Sequence, residues 1–179
     1  MAEYENSEIE SVRAAMAGDS DAFCGLYDLY KARLYRYAVY RLGNREDAED
    51  AVSSCVLSAW KQIGKLKEPE AFQAWIFRIL RGACASLIKD VIETKDDLPE
   101  DALENKAAEN IFDSDTHLML VEALNTLPED SREMVLLSIV GGLKSGEIGE
   151  IFDMPEGTVR SRISRSLAAM REVLEVENE

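Results

Sequence analysis

Four arginines and no acidic residue fall between Gly157 and Arg171, directly after the turn-forming triplet Asp153–Met154–Pro155. On a helix starting near Glu156, the positions left for solvent are Thr158, Arg160, Ser161, Arg162, Ser164 and Arg165. Arginine forms bidentate bonds to guanine, and serine, threonine and arginine all hold phosphate oxygens. These residues point to recognition of nucleic acid, although a solvated basic face would share their composition. Bond-making chemistry finds no comparable support. There is no phosphate-binding glycine loop, no metal-ligand cluster and no nucleophile–base pair, and His117 is the single histidine. No enzyme activity, cofactor or metal is therefore expected. Cys24, Cys55 and Cys84 are odd in number and form no CxxC pair. Burial as small hydrophobes in a reducing cytoplasm is the expectation.

The elements needed to present those arginines follow from helical periodicity. Ser145 to Phe152 reads as a short helix burying Ile148 and Ile151. The next helix would bury Val159, Ile163, Leu167, Met170 and Leu174. Gly149 stands where a large side chain would obstruct the close approach of the two. Short helix, tight turn and basic helix make a helix-turn-helix, whose second helix offers its N-terminal half to the major groove. Ahead of it, His117 to Leu127 reads as a helix. Pro128 suits the first turn of another, which carries Glu133, Met134, Leu137, Ile139 and Val140 to a stop at Gly141–Gly142.

Farther upstream, three apolar stripes run at helical spacing. One links Leu26, Leu29, Tyr30, Leu34, Tyr37, Ala38 and Leu42. A second links Ala48, Ala51, Val52, Cys55, Val56, Ala59, Trp60 and Ile63, and the third runs from Ala71 to Ile88. Alternating strand patterns are absent, so an all-α fold of two small helical domains is expected. The boundaries read as an acidic N-terminal segment 1–19, a first domain 20–89, an acidic flexible linker 90–116, a second domain 117–174 and an acidic tail 175–179. No apolar run approaches the roughly 18–20 residues of a membrane span. No contact of the chain's own with a membrane is expected.

The net charge of −15 argues against nucleic acid until its distribution is examined. Residues 1–28 carry −6, residues 90–115 carry −8 and residues 172–179 carry −4, which leaves +3 for the remainder. Acidity sits in the ends and one connector, and a local basic face survives.

Taken together, these segments resemble a bacterial sigma factor of the extracytoplasmic-function type, group 4 of the sigma-70 family. LYDLYKARLYRYAVYRLGNREDAEDAV, with LSAWKQI beyond it, resembles sigma regions 2.1–2.2, and FQAWIFRILR resembles regions 2.3–2.4. LPEDSREMVLLSIVGGLKSGEIGEIFDMPEGTVRSRISRSLAAMRE resembles region 4. The resemblance implies an alternative sigma factor, a non-catalytic specificity subunit. Such a subunit binds core RNA polymerase through its largest-subunit clamp helices and the flap, and directs initiation at chosen promoters. It implies that Asp47, Glu49, Asp50, Val52 and Leu57 meet the clamp helices, with Trp60 in the core. It implies that region 4 reads the −35 element through Thr158 to Arg165. It further implies an anti-sigma factor as regulator, and a linker that threads the active-centre cleft and RNA exit channel.

Two departures from the family pattern stand out. Ser53–Ser54 replaces the usual Gln-Glu pair. The −10-reading helix has Gly82, Ser86 and Lys89–Asp90 where Asn, Asp and a basic pair are usual, with Arg78, Arg81 and Lys89 left as phosphate contacts. These losses motivate an alternative: a sigma-like decoy or adaptor that binds an anti-sigma factor or polymerase without melting promoters. A dimeric helix-turn-helix regulator is a third option, weakened by the absence of a dimerisation heptad.

Overall fold

The computed structural model describes residues 2–95 and 115–176, which are arranged in helices and turns with no strand among them. They fall into two compact units, Met1–Leu98 and Pro99–Glu179. The inner linker residues 96–114, and the path expected of them, lie outside the described residues.

In the first unit α1 spans Ala2–Met16, α2 Ser20–Leu42, α3 Arg45–Gln62 and α4 Phe72–Lys95, with short 3-10 turns at Ile63–Lys65 and Pro69–Ala71. Helix boundaries follow local chemistry. The Asp19 carboxylate accepts the amides of Asp21 and Ala22 and starts α2. Gly43, at φ 78°, ends it in the left-handed region that glycine enters without a Cβ penalty. Asn44 then caps α3 by accepting the Asp47 amide at 2.8 Å.

The core is aromatic on two helices and small on the third. Tyr30 meets Phe72 edge-on at 5.4 Å, and Tyr37 meets Phe77 at 5.8 Å. Buried Ala48, Ala51, Cys55 and Ala59 let α3 approach both neighbours closely. The acidic N-terminal segment folds back onto this bundle as α1, burying Val12 and Ala15. The buried Tyr30 hydroxyl donates to the Glu8 carboxylate across the α1–α2 contact.

Two stripe residues depart from expectation. Leu29 is 53% exposed, and Trp60 is 38% exposed against Phe23 at the core's edge, so it is not a core residue. Helix α4 brings a further difference, because Pro69–Asp90 is long and apolar enough by composition to cross a membrane. Arg78, Arg81 and Lys89 interrupt it, and Phe72, Ala74, Ile76, Phe77, Leu80 and Cys84 are buried in the bundle.

The second unit contains α5 (Asp115–Asn125), α6 (Glu129–Ile139), α7 (Ser145–Phe152) and α8 (Glu156–Val176). Pro128 sits one place earlier than expected, at the N-cap of α6. Arg132 on α6 donates from Nε to the Leu124 carbonyl at 2.9 Å, and from its terminal nitrogen to the carbonyls of Asn125 and Leu127. It thereby satisfies acceptors that the end of α5 would otherwise leave open. Gly142, at φ 68°, turns the chain after α6. Met134, Leu137, Ile148, Val159, Ile163 and Met170 are buried, whereas Ile139 is 64% exposed.

Candidate nucleic-acid interface

The recognition helix is set by the turn before it. Asp153 takes φ 53°, a left-handed conformation that a short polar side chain tolerates. The Met154 amide bonds the Gly149 carbonyl at 2.9 Å. A Cβ on Gly149 would stand 2.5 Å from the Met154 carbonyl oxygen. The obstruction foreseen at this glycine is therefore with the turn's backbone. Glu147 accepts the Lys144 amide at 2.7 Å and fixes the start of α7.

On α8, Thr158, Arg160, Ser161, Ser164 and Arg165 are exposed, and Arg162 is half-buried. Arg160 pairs with Glu156 one turn earlier, an acid just outside the acid-free window. Ser161 donates to the Thr158 carbonyl at 2.9 Å, and Arg165 Nε donates to the Ser161 carbonyl at 3.3 Å. Local bonds thus orient part of the set while the residues stay at the surface. The apolar stripe of α8 continues through Ser166, 6% exposed, rather than Leu167, which is 37% exposed. Positions 159, 163, 166 and 170 share one side of a 3.6-residue helix, and 167 is rotated off it.

Ser166 and Ser131 are the polar residues that sequence reasoning missed. Both line a groove of about 370 Å³ beside Arg162 and Arg165. A serine within an apolar stripe was the available signal.

In the first unit, Glu49, Asp50, Ser53, Ser54 and Leu57 are exposed on α3, and Leu57 is 61% exposed. Glu49, Ser53, Leu57 and Trp60 follow one helical face, which runs from acidic to apolar. Asp47 is half-buried and accepts from the Asn44 amide group at 2.6 Å, so it belongs to the helix cap as well. Val52 is only 6% exposed. Its side chain packs in the bundle, which corrects its expected place among exposed contacts.

On α4, Arg78, Gly82, Ser86 and Lys89 are exposed at spacings that put them along one face, and Arg81 is half-buried. A Cβ at Gly82 would meet nothing within 4 Å, so no packing demand explains this glycine. Cys55 and Cys84 are buried and Cys24 is exposed. Burial, with a smaller contribution from Cys84, pushes the Cys55 thiol up to about 12, which keeps it protonated at neutral pH. Among the described residues no His, Cys, Asp and Glu group is arranged to hold a metal.

Comparison with known proteins assigns the same two blocks. Residues 26–91 match the family profile described as "Sigma-70 region 2", and residues 117–170 match "Sigma-70, region 4". The ECF RNA polymerase sigma factor BldN of Streptomyces coelicolor is 29% identical over 172 residues, covering 93% of this chain and 65% of BldN. SigW of Bacillus subtilis, also an ECF sigma factor, is 29% identical over 180 residues, covering 91% of this chain and 94% of SigW. Among solved structures, CnrH in complex with the cytosolic domain of CnrY superposes with a TM-score of 0.70 at 21% identity, covering 94% of this chain and 97% of that one. The Bartonella quintana sigma factor RpoE, solved with the anti-sigma factor NepR, gives 0.69 at 23% identity, covering 86% and 97%. At these identities the structures establish the fold alone. With both sigma regions matched in order over most of its length, the chain belongs to the extracytoplasmic-function sigma factors of the sigma-70 family.

Proposed function

We propose that this chain is an alternative sigma factor, a non-catalytic subunit that binds core RNA polymerase and directs initiation at particular promoters in the cytoplasm. One observation carries the reading: a basic helix, exposed and fixed by a glycine-dependent turn, follows a region 2 bundle in the same chain. The α3 face of Glu49, Asp50 and Leu57 supplies the clamp-helix contact, supported by Asp47 at the cap. The second unit adds the flap contact and reads the −35 element through Thr158, Arg160, Ser161, Arg162, Ser164 and Arg165. Arg78, Arg81, Ser86 and Lys89, with Gly82 between them, form the −10 face. An anti-sigma factor is the regulator, as in the complexes from which CnrH and RpoE were solved.

The bare position at Gly82 favours a second reading, a decoy that occupies polymerase or an anti-sigma factor without opening DNA. Run-off transcription with purified chain, core polymerase and fragmented genomic DNA separates the two. Discrete starts that share upstream −10 and −35 elements support the sigma factor. No starts, with core binding retained in a pull-down, support the decoy.

A further inference from the structure

The groove on the flank of α8 differs chemically from the exposed face used for base reading. Arg162, Arg165, Ser166 and Ala169 line it from α8, and Pro128 and Ser131 line it from the start of α6. Three features make it a place for an anion. The N-terminus of α6, an 11-residue helix, has Pro128 at its N-cap and no side chain capping it. Its first amides therefore carry uncompensated positive potential. Arg162 is half-buried yet has no hydrogen bond or ion pair with any described residue. Partial desolvation of an unpaired guanidinium is costly, and a bound anion would remove that cost. Ser166 is 94% buried, lines the groove, and its hydroxyl has no partner among the described residues. The Glu129 and Asp130 carboxylates in the same turn are exposed and do not line the groove.

We infer that this groove cradles one backbone phosphate of duplex DNA, so that Arg162 and Arg165 position the helix while other residues read sequence. The inference rests on the DNA-binding reading of α8 and divides its residues between two tasks. Ser161 and Ser164 lie on the side of α8 roughly opposite Ser166, where base edges are reached. The groove adjoins that face, and helix N-termini combined with arginine and serine suit phosphate oxygens. Continuity with the DNA-facing surface favours a nucleic-acid phosphate over an acidic protein segment.

The test uses the full chain with a pool of short random-sequence duplexes, titrated with salt and sequenced after selection. Arg162→Ala should weaken binding to the whole pool by about five- to tenfold and lower the salt slope by about one, while enriching the same sequences as wild type. Ser166→Ala should weaken binding less and leave the enriched sequences unchanged, with far-UV circular dichroism confirming that both variants fold. In a duplex made from the enriched sequence, a neutral methylphosphonate at one backbone position should weaken wild type and leave Arg162→Ala indifferent. An altered set of enriched sequences in Arg162→Ala would make that arginine a base reader and overturn the cradle. Unchanged affinity and slope in Arg162→Ala would overturn it too, and leave the groove to an acidic protein partner. No salt-dependent binding by wild type would instead defeat the underlying DNA reading.

Discussion

Gly149 and the carbonyl of Met154 are so close that a single added carbon on the glycine would stand 2.5 Å from the oxygen. Real carbon–oxygen contacts are not that short, so any other residue forces the turn to open. The relationship ties one residue of α7 to the angle at which α8 leaves the turn, and hence to where Arg160 and Arg165 project. Gly149→Ala should destabilise the second unit by about 1–3 kcal/mol, the usual cost of overpacking. DNA affinity should fall as well, although no DNA-facing side chain has changed. Chemical denaturation followed by far-UV circular dichroism, with DNA titration beside it, checks both outcomes. A fully stable variant would show that the turn yields without cost.

Gly82 presents the opposite situation, since its added carbon meets only open space. Glycine inside a helix costs roughly 0.5–1 kcal/mol relative to alanine. Gly82→Ala should therefore stabilise the first unit by about that amount. Gly82→Asn, the residue usual in the family, should fold normally and raise run-off transcription from any promoter the wild type opens weakly. If Gly82→Asn folds but transcribes no better, the glycine is not what limits opening.

The α3 face offers a docking test that keeps the helix cap intact. Glu49→Lys with Asp50→Lys reverses two exposed charges and should abolish capture of core polymerase with helicity unchanged. Asp47→Lys mixes two effects, because Asp47 also bonds Asn44 and sits in the first turn where a negative charge favours the helix. Retained core binding in the double variant would place the docking surface elsewhere.

Thiol chemistry should separate the three cysteines. Cys24 is exposed and should react with Ellman's reagent in the native protein, whereas Cys55 and Cys84 should react only on unfolding. Burial raises the Cys55 pKa from 9.0 to about 12, so the unfolded chain gives up this proton first as pH rises. Its contribution to stability is complete below pH 9 and is lost as pH climbs toward 12. The stability gap between wild type and Cys55→Ala should narrow over that range. A constant gap would mean that the thiol is not shielded from water.

Much of this architecture was legible in residue order because periodicity, caps and glycines all act locally. Ser145–Phe152 and the start near Glu156 match the observed α7 and α8, since Gly149 and Pro155 leave the chain few alternatives. What escaped depended on rotation about a helix axis or on contacts distant in sequence. Leu167 and Ser166 differ by one residue, yet only the fold decides which of them faces α6. Val52 and Leu57 share a stripe in the sequence, but one packs inside the bundle and the other stands at 61% exposure. Folding back of α1 could not be read from its acidic composition, because Val12, Ala15 and the Glu8–Tyr30 bond draw on partners in other helices.

The aromatic core of the first unit has an optical consequence. Both tryptophans, Trp60 and Trp75, and all six tyrosines lie within residues 4–75, and none occurs in the second unit. Intrinsic fluorescence therefore watches only the bundle, while the helix-turn-helix is dark and contributes to the backbone ellipticity alone. One sample melted under both detectors yields two separate stability curves, without cutting the chain. A single tryptophan placed at Ala168 would light the silent half and report DNA arrival at α8 directly.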